Sequence, residues 1–277
     1  MKVTVLVDNN TYVDRYFRGE PGFSAFVEHD DRKILFDLGY SDLFVHNAAR
    51  MGVDLLDLDY IVLSHGHLDH SGGLYHLIRY YMEERISKKN VKTPTLLAHP
   101  YALQPRPKPP LPDIGPLISA DQVGRHLQLL LTREPYRVGR DLLFLGEIPR
   151  PQESDDQGRR IVLQDGTLES DRLLDDTALA FRGKDGLVII TGCSHAGIGN
   201  IVRRAQRLTG EGRVDTIIGG LHLEGPSKAL SEAMDLFRQL PVHRLYACHC
   251  TSLQAKIELS KVVPLKEVGV GLTLGLD

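Results

Sequence analysis

The sequence predicts an α/β fold in the broad sense, α+β included: sheet covered by helices. Three observations carry this. The opening of the chain holds short strand signals separated by turn residues, and the remainder alternates strand and helix patterns. Several strands are unbroken apolar runs, as expected where both faces are buried. No internal repeat is detectable.

In chain order, Val3–Val7, Phe23–Glu28 after Pro21-Gly22, and Lys33–Asp37 before Gly39 read as strands, with His29-Asp30-Asp31 as a hairpin turn. A helix follows from about Ser41, with Leu43, Phe44, Val45, Ala48 and Met51 at helical spacing and Gly52 closing it. Tyr60–Ser64 is a compact buried strand. Ser71–Ile86 is a helix with an apolar stripe at Leu74, Leu77, Ile78 and Tyr81, and Thr95–Ala98 is a further strand. From Pro94 to Pro116 prolines recur too densely for a central strand or helix, because each removes a backbone donor and fixes φ. Strand signals resume on both sides, so this stretch (about 94–116) is expected to be an irregular excursion or lid within a single domain spanning 1–277. Leu142–Leu145, Ala178–Phe181 and Leu187–Thr191 are strands, the last two joined by a hairpin at Gly183-Lys184-Asp185-Gly186. Helix Gly199–Leu208, strand Thr216–Ile218, helix Ser227–Gln239, strand Arg244–Ala247 and helix Gln254–Val262 complete the pattern.

Composition bounds the function. In 277 residues, 33 Lys+Arg face 36 Asp+Glu, a net charge of −3, with 42% hydrophobic and 25% charged residues. That is too apolar for disorder and gives no global field for nucleic acid or anionic lipid. The apolar run at the start is too short for a signal peptide, and no stretch of about 18 apolar residues exists to cross a membrane. Three cysteines make no disulfide framework, so a reducing, cytoplasmic setting is expected.

Twelve histidines are the salient feature. Residues 64–73 read Ser-His-Gly-His-Leu-Asp-His-Ser-Gly-Gly, placing His65, His67, Asp69 and His70 between a buried strand and a helix start. Positions two apart in extended chain share a face, so His65 and His67 suit one ion. Asp69 and His70 point differently, and four donors crowd one tetrahedral centre. Two ions at roughly 3.5–4 Å relieve that crowding and form a hydrolytic clamp. His195 follows an apolar strand beside Gly192 and Gly197, where a donor can leave a sheet edge, and His249 follows the apolar run Leu245-Tyr246-Ala247 as a second strand-end donor.

His-x-His-x-Asp-His followed by Ser-Gly-Gly resembles the metallo-β-lactamase superfamily, which implies a four-layer αββα sandwich with the metal site at one sheet edge. The resemblance extends to Gly22-Phe23-Ser24, to Ile34-Leu35-Phe36-Asp37-Leu38-Gly39, and to Ile189-Ile190-Thr191-Gly192-Cys193-Ser194-His195-Ala196-Gly197. With Gly219-Gly220-Leu221-His222-Leu223 and Cys248-His249-Cys250-Thr251, it points to the dihydropterin-ribofuranosylaminobenzene-phosphate synthase-like branch. It implies one ion on His65, His67 and a later donor, and another on Asp69, His70 and His249, with His195 as the later or bridging donor.

The chain departs from the superfamily where Asp175-Asp176-Thr177 and Gly192-Cys193-Ser194-His195 replace the usual Gly-His-Thr-Pro-Gly-like loop and acidic bridge. His195 is preferred over Cys193 as the bridge, and Asp176 or Glu147 is open as a replacement for the missing histidine. Asp37 is expected to orient a ligand histidine. Cys248 and Cys250 alternate with His249 and, in a strand, face away from it. His29, His46, His76, His99, His126 and His243 fall in no ligand pattern. Arg106, Lys108 and Arg150 could meet an anionic substrate, although loop cations are more often solvated.

The expected function is a metal-dependent hydrolase using a metal-activated water on a small phosphate-containing, pterin-like substrate. Two divalent ions, Zn by default with Mn or Fe open, are its cofactors. Asp69 is expected to hold the water as well as its metal, and His222 to contact substrate or donate a proton. A nucleic-acid phosphodiesterase of the same superfamily, or a non-catalytic sensing member, are the alternatives. Neither a nucleic-acid partner nor a membrane is expected.

Overall fold

A computed structural model describes residues 1–150 and 159–277. Its strands are β1 (Lys2–Val7), β2 (Ser24–His29), β3 (Arg32–Phe36), β4 (Tyr60–Val62), β5 (Thr95–Ala98), β6 (Gln128–Leu131), β7 (Tyr136–Gly139), β8 (Leu142–Phe144), β9 (Arg160–Val162), β10 (Leu168–Ser170), β11 (Ala178–Arg182), β12 (Leu187–Thr191), β13 (Val214–Gly220), β14 (Val242–Cys248) and β15 (Thr273–Gly275). The helices are α1 (Leu43–Met51), α2 (Leu68–Ser71), α3 (Gly73–Ile86), α4 (Ala120–Gly124), α5 (Ile198–Thr209), α6 (Lys228–Gln239) and α7 (Leu253–Leu259), with a 3-10 turn at Pro100–Leu103.

Among the described residues these strands form two mixed sheets, β15-β1-β2-β3-β4-β5-β6 and β14-β13-β12-β11-β8-β7, plus the separate β9-β10 hairpin. The first is antiparallel through β1–β3 and parallel from β3 to β6. The second is parallel through β12–β14. Three apolar clusters show the layering. Ala25, Val27 and Ile34 of the first sheet meet Phe144, Leu179 and Ile190 of the second in a core between the sheets. On the first sheet's outer face, Leu35 and Ile61 pack with Phe44, Leu74 and Leu77 of α1 and α3. Outside the second sheet, Ile189 and Ile217 pack with Ile201, Leu230 and Leu259 of α5, α6 and α7. This is the expected αββα order.

The helical stripe Leu74, Leu77, Ile78 and Tyr81 is buried as its spacing requires. Helix α1 ends at Gly52 in the left-handed region (φ 69), with the Gly52 N–H returning to the last turn. It starts at Leu43 with Asp42 as its N-cap, two residues beyond the expected start at about Ser41, and Ser41 Oγ accepts the Leu43 N–H at 3.1 Å. The hairpin turn is shorter than expected, since His29 remains in β2 and pairs with Arg32. Strands β6, β7, β9, β10 and β15 and helix α4 are not among the sequence expectations. They are five residues or fewer, and tertiary pairing rather than periodicity fixes them.

The proline-rich stretch corrects one expectation. Arg106, expected to be solvated or to meet a substrate, is 1% exposed. It pairs with Asp171 (2.8 Å) and Asp175 (2.7 Å) under the first sheet's edge loops. The stretch is also tied to those loops through Leu68 N–H donating to Ile114 O at 2.8 Å. Among the described residues, no helix is long and apolar enough to cross a membrane.

Candidate metal centre

The donor residues sit where strands end. His65 follows β4, His195 follows β12, and His249 follows β14, while α2 carries Asp69 and His70 on one short turn. The loops from the two sheets meet because Gly192 has no side chain: a Cβ there would lie 2.0 Å from Ser64 Oγ. Three non-glycine residues at these strand ends take left-handed backbone: Ser194 (φ 60), His222 (φ 50) and His249 (φ 50). Such conformations cost of order 1–3 kcal/mol each and persist only where neighbours over-determine them. Here Ser194 Oγ donates to Gly220 O at 2.8 Å and the His249 N–H donates to Asp8 Oδ1 at 2.9 Å.

Five overlapping donor groups result among the described residues, three of them sharing Cys193 and one of those including His222; the two without Cys193 share no residue. In the first, His65 Nε2 and His67 Nδ1 face each other at 3.1 Å, and the His195 ring lies 4.9 Å and 5.0 Å from theirs. In the second, His249 Nε2 lies 3.1 Å from His70 Nε2 and 3.3 Å from Asp69 Oδ2. Within each set one potential ligand atom per residue falls within 4.8 Å of the others. The sets touch, with His65 and His70 rings 4.3 Å apart. Cys193 lies against both, its Sγ 3.1 Å from His70 Nε2.

Partners behind the sets fix their orientation. Asp37 accepts from Ser64 N–H (2.7 Å) and Ser64 Oγ–H (2.7 Å), and its Oδ2 lies 2.7 Å from His70 Nδ1, the contact expected of it. Ser64 Oγ in turn sits 2.9 Å from His65 Nδ1. Asn9, which the sequence reading did not single out, places Oδ1 2.9 Å from His249 Nδ1. Its only local signal is a polar pair just past a strand.

Several alternatives are separated by this geometry. Neither Asp176 nor Glu147 joins a donor group among the described residues. Asp176 accepts from the Ala196 N–H at 2.9 Å, and Glu147 lies 3.1 Å from His99 Nε2. Cys250 does not turn away from the site. Strand β14 stops at Cys248 and His249 is left-handed, so alternation ends there, and Cys250 groups with Cys193 and His249. His222 is exposed, its ring 4.3 Å from that of His195 and its N–H directed at Cys250 Sγ (3.2 Å).

Charge differs across the centre. Burial lowers His65 and His195 well below the usual histidine range, and burial together with Arg106 lowers His67 to about 3. Burial opposes charge on His70 too, but Asp69 and Asp37 outweigh it and raise its pKa to about 9. Asp69 is held well below the carboxylate range by His70 and His249 despite its burial. Burial raises Asp176 to about 7 and Cys193 well above the thiol range.

The residues fit bound cations. His195 Nε2 is buried with no hydrogen-bond partner, a costly arrangement for neutral imidazole unless a ligand satisfies it. Imidazole, carboxylate and thiol are the donor types that divalent transition metals take. Beside the centre opens a cavity of about 1400 Å³, with His195, His222, Arg150, Arg159, Arg203 and Lys228 in its lining.

Comparison with known proteins gives the family. The chain is 30% identical over 280 residues to an uncharacterized protein of Methanocaldococcus jannaschii, covering 99% of this chain and all of that one. It is 26% identical over 271 residues to the 7,8-dihydropterin-6-methyl-4-(beta-D-ribofuranosyl)-aminobenzene-5'-phosphate synthase of the same organism, covering 92% and 89% of the two chains. A crystal structure described as a metal-dependent hydrolase of the beta-lactamase superfamily superposes with a TM-score of 0.83 at 27% identity, covering 99% and 98% of the two chains. The family model for the metallo-beta-lactamase superfamily matches residues 17–249, and the chain therefore belongs to that superfamily.

Proposed function

We propose that the chain is a dinuclear metal-dependent hydrolase acting on a small, phosphate-bearing molecule. The observation that carries this reading is the pair of adjoining three-donor sets, His65/His67/His195 and Asp69/His70/His249. When bound, two divalent ions supply Lewis acidity at the scissile bond and lower the pKa of adjacent water toward ~7. Zinc is the first metal to try, with manganese and iron next.

The chain's own residues then divide the work. Asp69 is the most open of the second set, its side chain 35% exposed, and its carboxylate accepts a hydrogen bond from the attacking water. His222, exposed at the cavity wall and raised in pKa by Cys250 beside it, donates a proton to the leaving oxygen. Arg150, Arg159 and Arg203 give the same cavity a cationic wall for an anionic substituent. The net charge of −3, and Glu224, Glu232 and Asp235 across the cavity, favour a small molecule over a polymer. The synthase named above yields a phosphate-bearing pterin compound, and its relation to this chain makes that chemistry the first to screen. Three free cysteines suit a reducing, cytoplasmic setting.

The test is metal analysis of the purified protein with activity screens on phosphodiester, phosphomonoester, thioester and lactam substrates. Two equivalents of metal and phosphoester turnover are expected. A His222→Gln variant is expected to keep its metal and lose about 10²–10⁴-fold in kcat. Less than one tightly held equivalent after metal-replete purification contradicts the reading.

A further inference from the structure

We propose that Arg106 and Asp175 are positioning residues that set the placement of His65 and His67 through the Gly66 amide between them. The inference rests on the two-set reading above and concerns how the first set is held.

His65 has an oxygen partner behind its ring, the Ser64 hydroxyl. His67 has none among the described residues: Nδ1 faces His65, and Nε2 has no hydrogen-bond partner. Metal-bound imidazoles almost always rely on such a partner for orientation. For His67 the task falls to the backbone, and the backbone is clamped. The Gly66 N–H donates to Asp175 Oδ2 at 2.8 Å, and Arg106 Nη2 donates to that same oxygen at 2.7 Å. The guanidinium is itself held on every side, by Asp171 Oδ2 to Nε (2.8 Å), Gln104 O to Nη1 (3.3 Å) and Tyr101 O to Nη2 (3.1 Å).

Contact with the loop is direct. A Cβ at position 66 would lie 2.2 Å from Arg106 Nη1 and 2.3 Å from Ala102 O, so only glycine lets the loop rest on the guanidinium. Arg106, Asp171 and Asp175 are 1%, 5% and 1% exposed. Burying three charges carries a desolvation cost that apolar packing avoids, so stability alone does not account for the arrangement. A fixed, directional acceptor under Gly66 does. The second set does not touch this clamp: the His249 N–H rests on Asp8 Oδ1 at 2.9 Å, and the His70 and His249 rings lean on Asp37 and Asn9.

The clamp therefore acts on one set. The experiment titrates the metal-stripped full-length protein with Zn²⁺ against a chromophoric chelator and with Co²⁺ by its visible spectrum. His67→Ala and His249→Ala identify which equivalent belongs to which set, and far-UV circular dichroism scores folding. Asp175→Ala and Arg106→Lys are expected to weaken the His67-dependent equivalent about 10–100-fold, leaving the His249-dependent one within about threefold. If Asp175→Ala does not fold, Asp175→Asn decides. It keeps an acceptor for Gly66 but withdraws charge from Arg106, and about three- to tenfold weakening of the same equivalent is expected. Unchanged affinity in the folded variants, or equal weakening of both equivalents, overturns the proposal. A wild-type protein that binds a single, His67-dependent equivalent contradicts the dinuclear reading while leaving the clamp to be read on that ion.

Discussion

The two donor sets, a few ångströms apart, are built on opposite electrostatics. In the first set, burial leaves His65, His67 and His195 neutral, and two of their nitrogens have no partner. In the second, Asp69 and His70 carry opposite charges, with His70 raised to about 9 between two carboxylates. The first set is thus shaped for a cation by backbone and packing, and takes one up by a shift of tautomer at the His65–His67 contact rather than by losing a proton. The second holds a proton where a cation would sit, and a metal must compete for it. Adjacent ligands on one ten-residue loop acquire different chemistry because Asp37 lies behind His70, whereas only the Ser64 hydroxyl lies directly behind the His65 ring.

Asp37 stands behind both sides, directly at His70 and through Ser64 at His65, so Asp37→Asn gives the largest expected effect. Each ion should weaken by about 10–100-fold, and assembly of the full pair by about 10²–10⁴-fold. Competitive chelator titration checks this, and an effect confined to one equivalent would break the comparison.

The pH dependence comes next. Uptake of an ion by the second set should release one proton from His70, so that affinity rises about tenfold per unit from pH 7 to about 9 and then flattens. The first set should release none over that range. Calorimetry in buffers of different ionisation enthalpy separates the two. The metal-free protein carries the matching stability signs. His70, raised above its ordinary 6.5, contributes stability that is full below pH 6.5 and lost as pH rises through about 9. His67, lowered to about 3, is neutral when folded and takes up a proton on unfolding, so it costs stability as pH falls below 6.5.

Asn9→Ala is the smallest of the three. Losing the oxygen behind His249 Nδ1 should weaken the second ion by about tenfold or less and leave the first unchanged, which chelator titration reads directly.

Much of this centre is legible in the sequence because its chemistry is local. His65, His67, Asp69 and His70 lie within six positions, and His195 and His249 each follow an apolar run, His195 beside Gly192 and Gly197. The αββα layering follows from a motif resemblance more than from periodicity, since β6, β7, β9 and β10 are too short to show a period. Arg106 is not legible. Prolines around it suggest an exposed loop, and its two carboxylate partners lie 65 and 69 residues away. Cys250 is misread for a different reason: it lies two residues past the end of β14, beyond a left-handed turn at His249 where strand alternation no longer holds. Asn9 reaches His249 across 240 residues of chain, beyond any pattern in one sequence.

The most direct test of two unlike but adjoining sets is a crystal structure of the metal-loaded protein with anomalous scattering recorded at the metal edge. Two peaks roughly 3.5–4 Å apart are expected, one among His65, His67 and His195 and the other among Asp69, His70 and His249. A single peak, or density held by Cys193 and Cys250 with the first set empty, would contradict it.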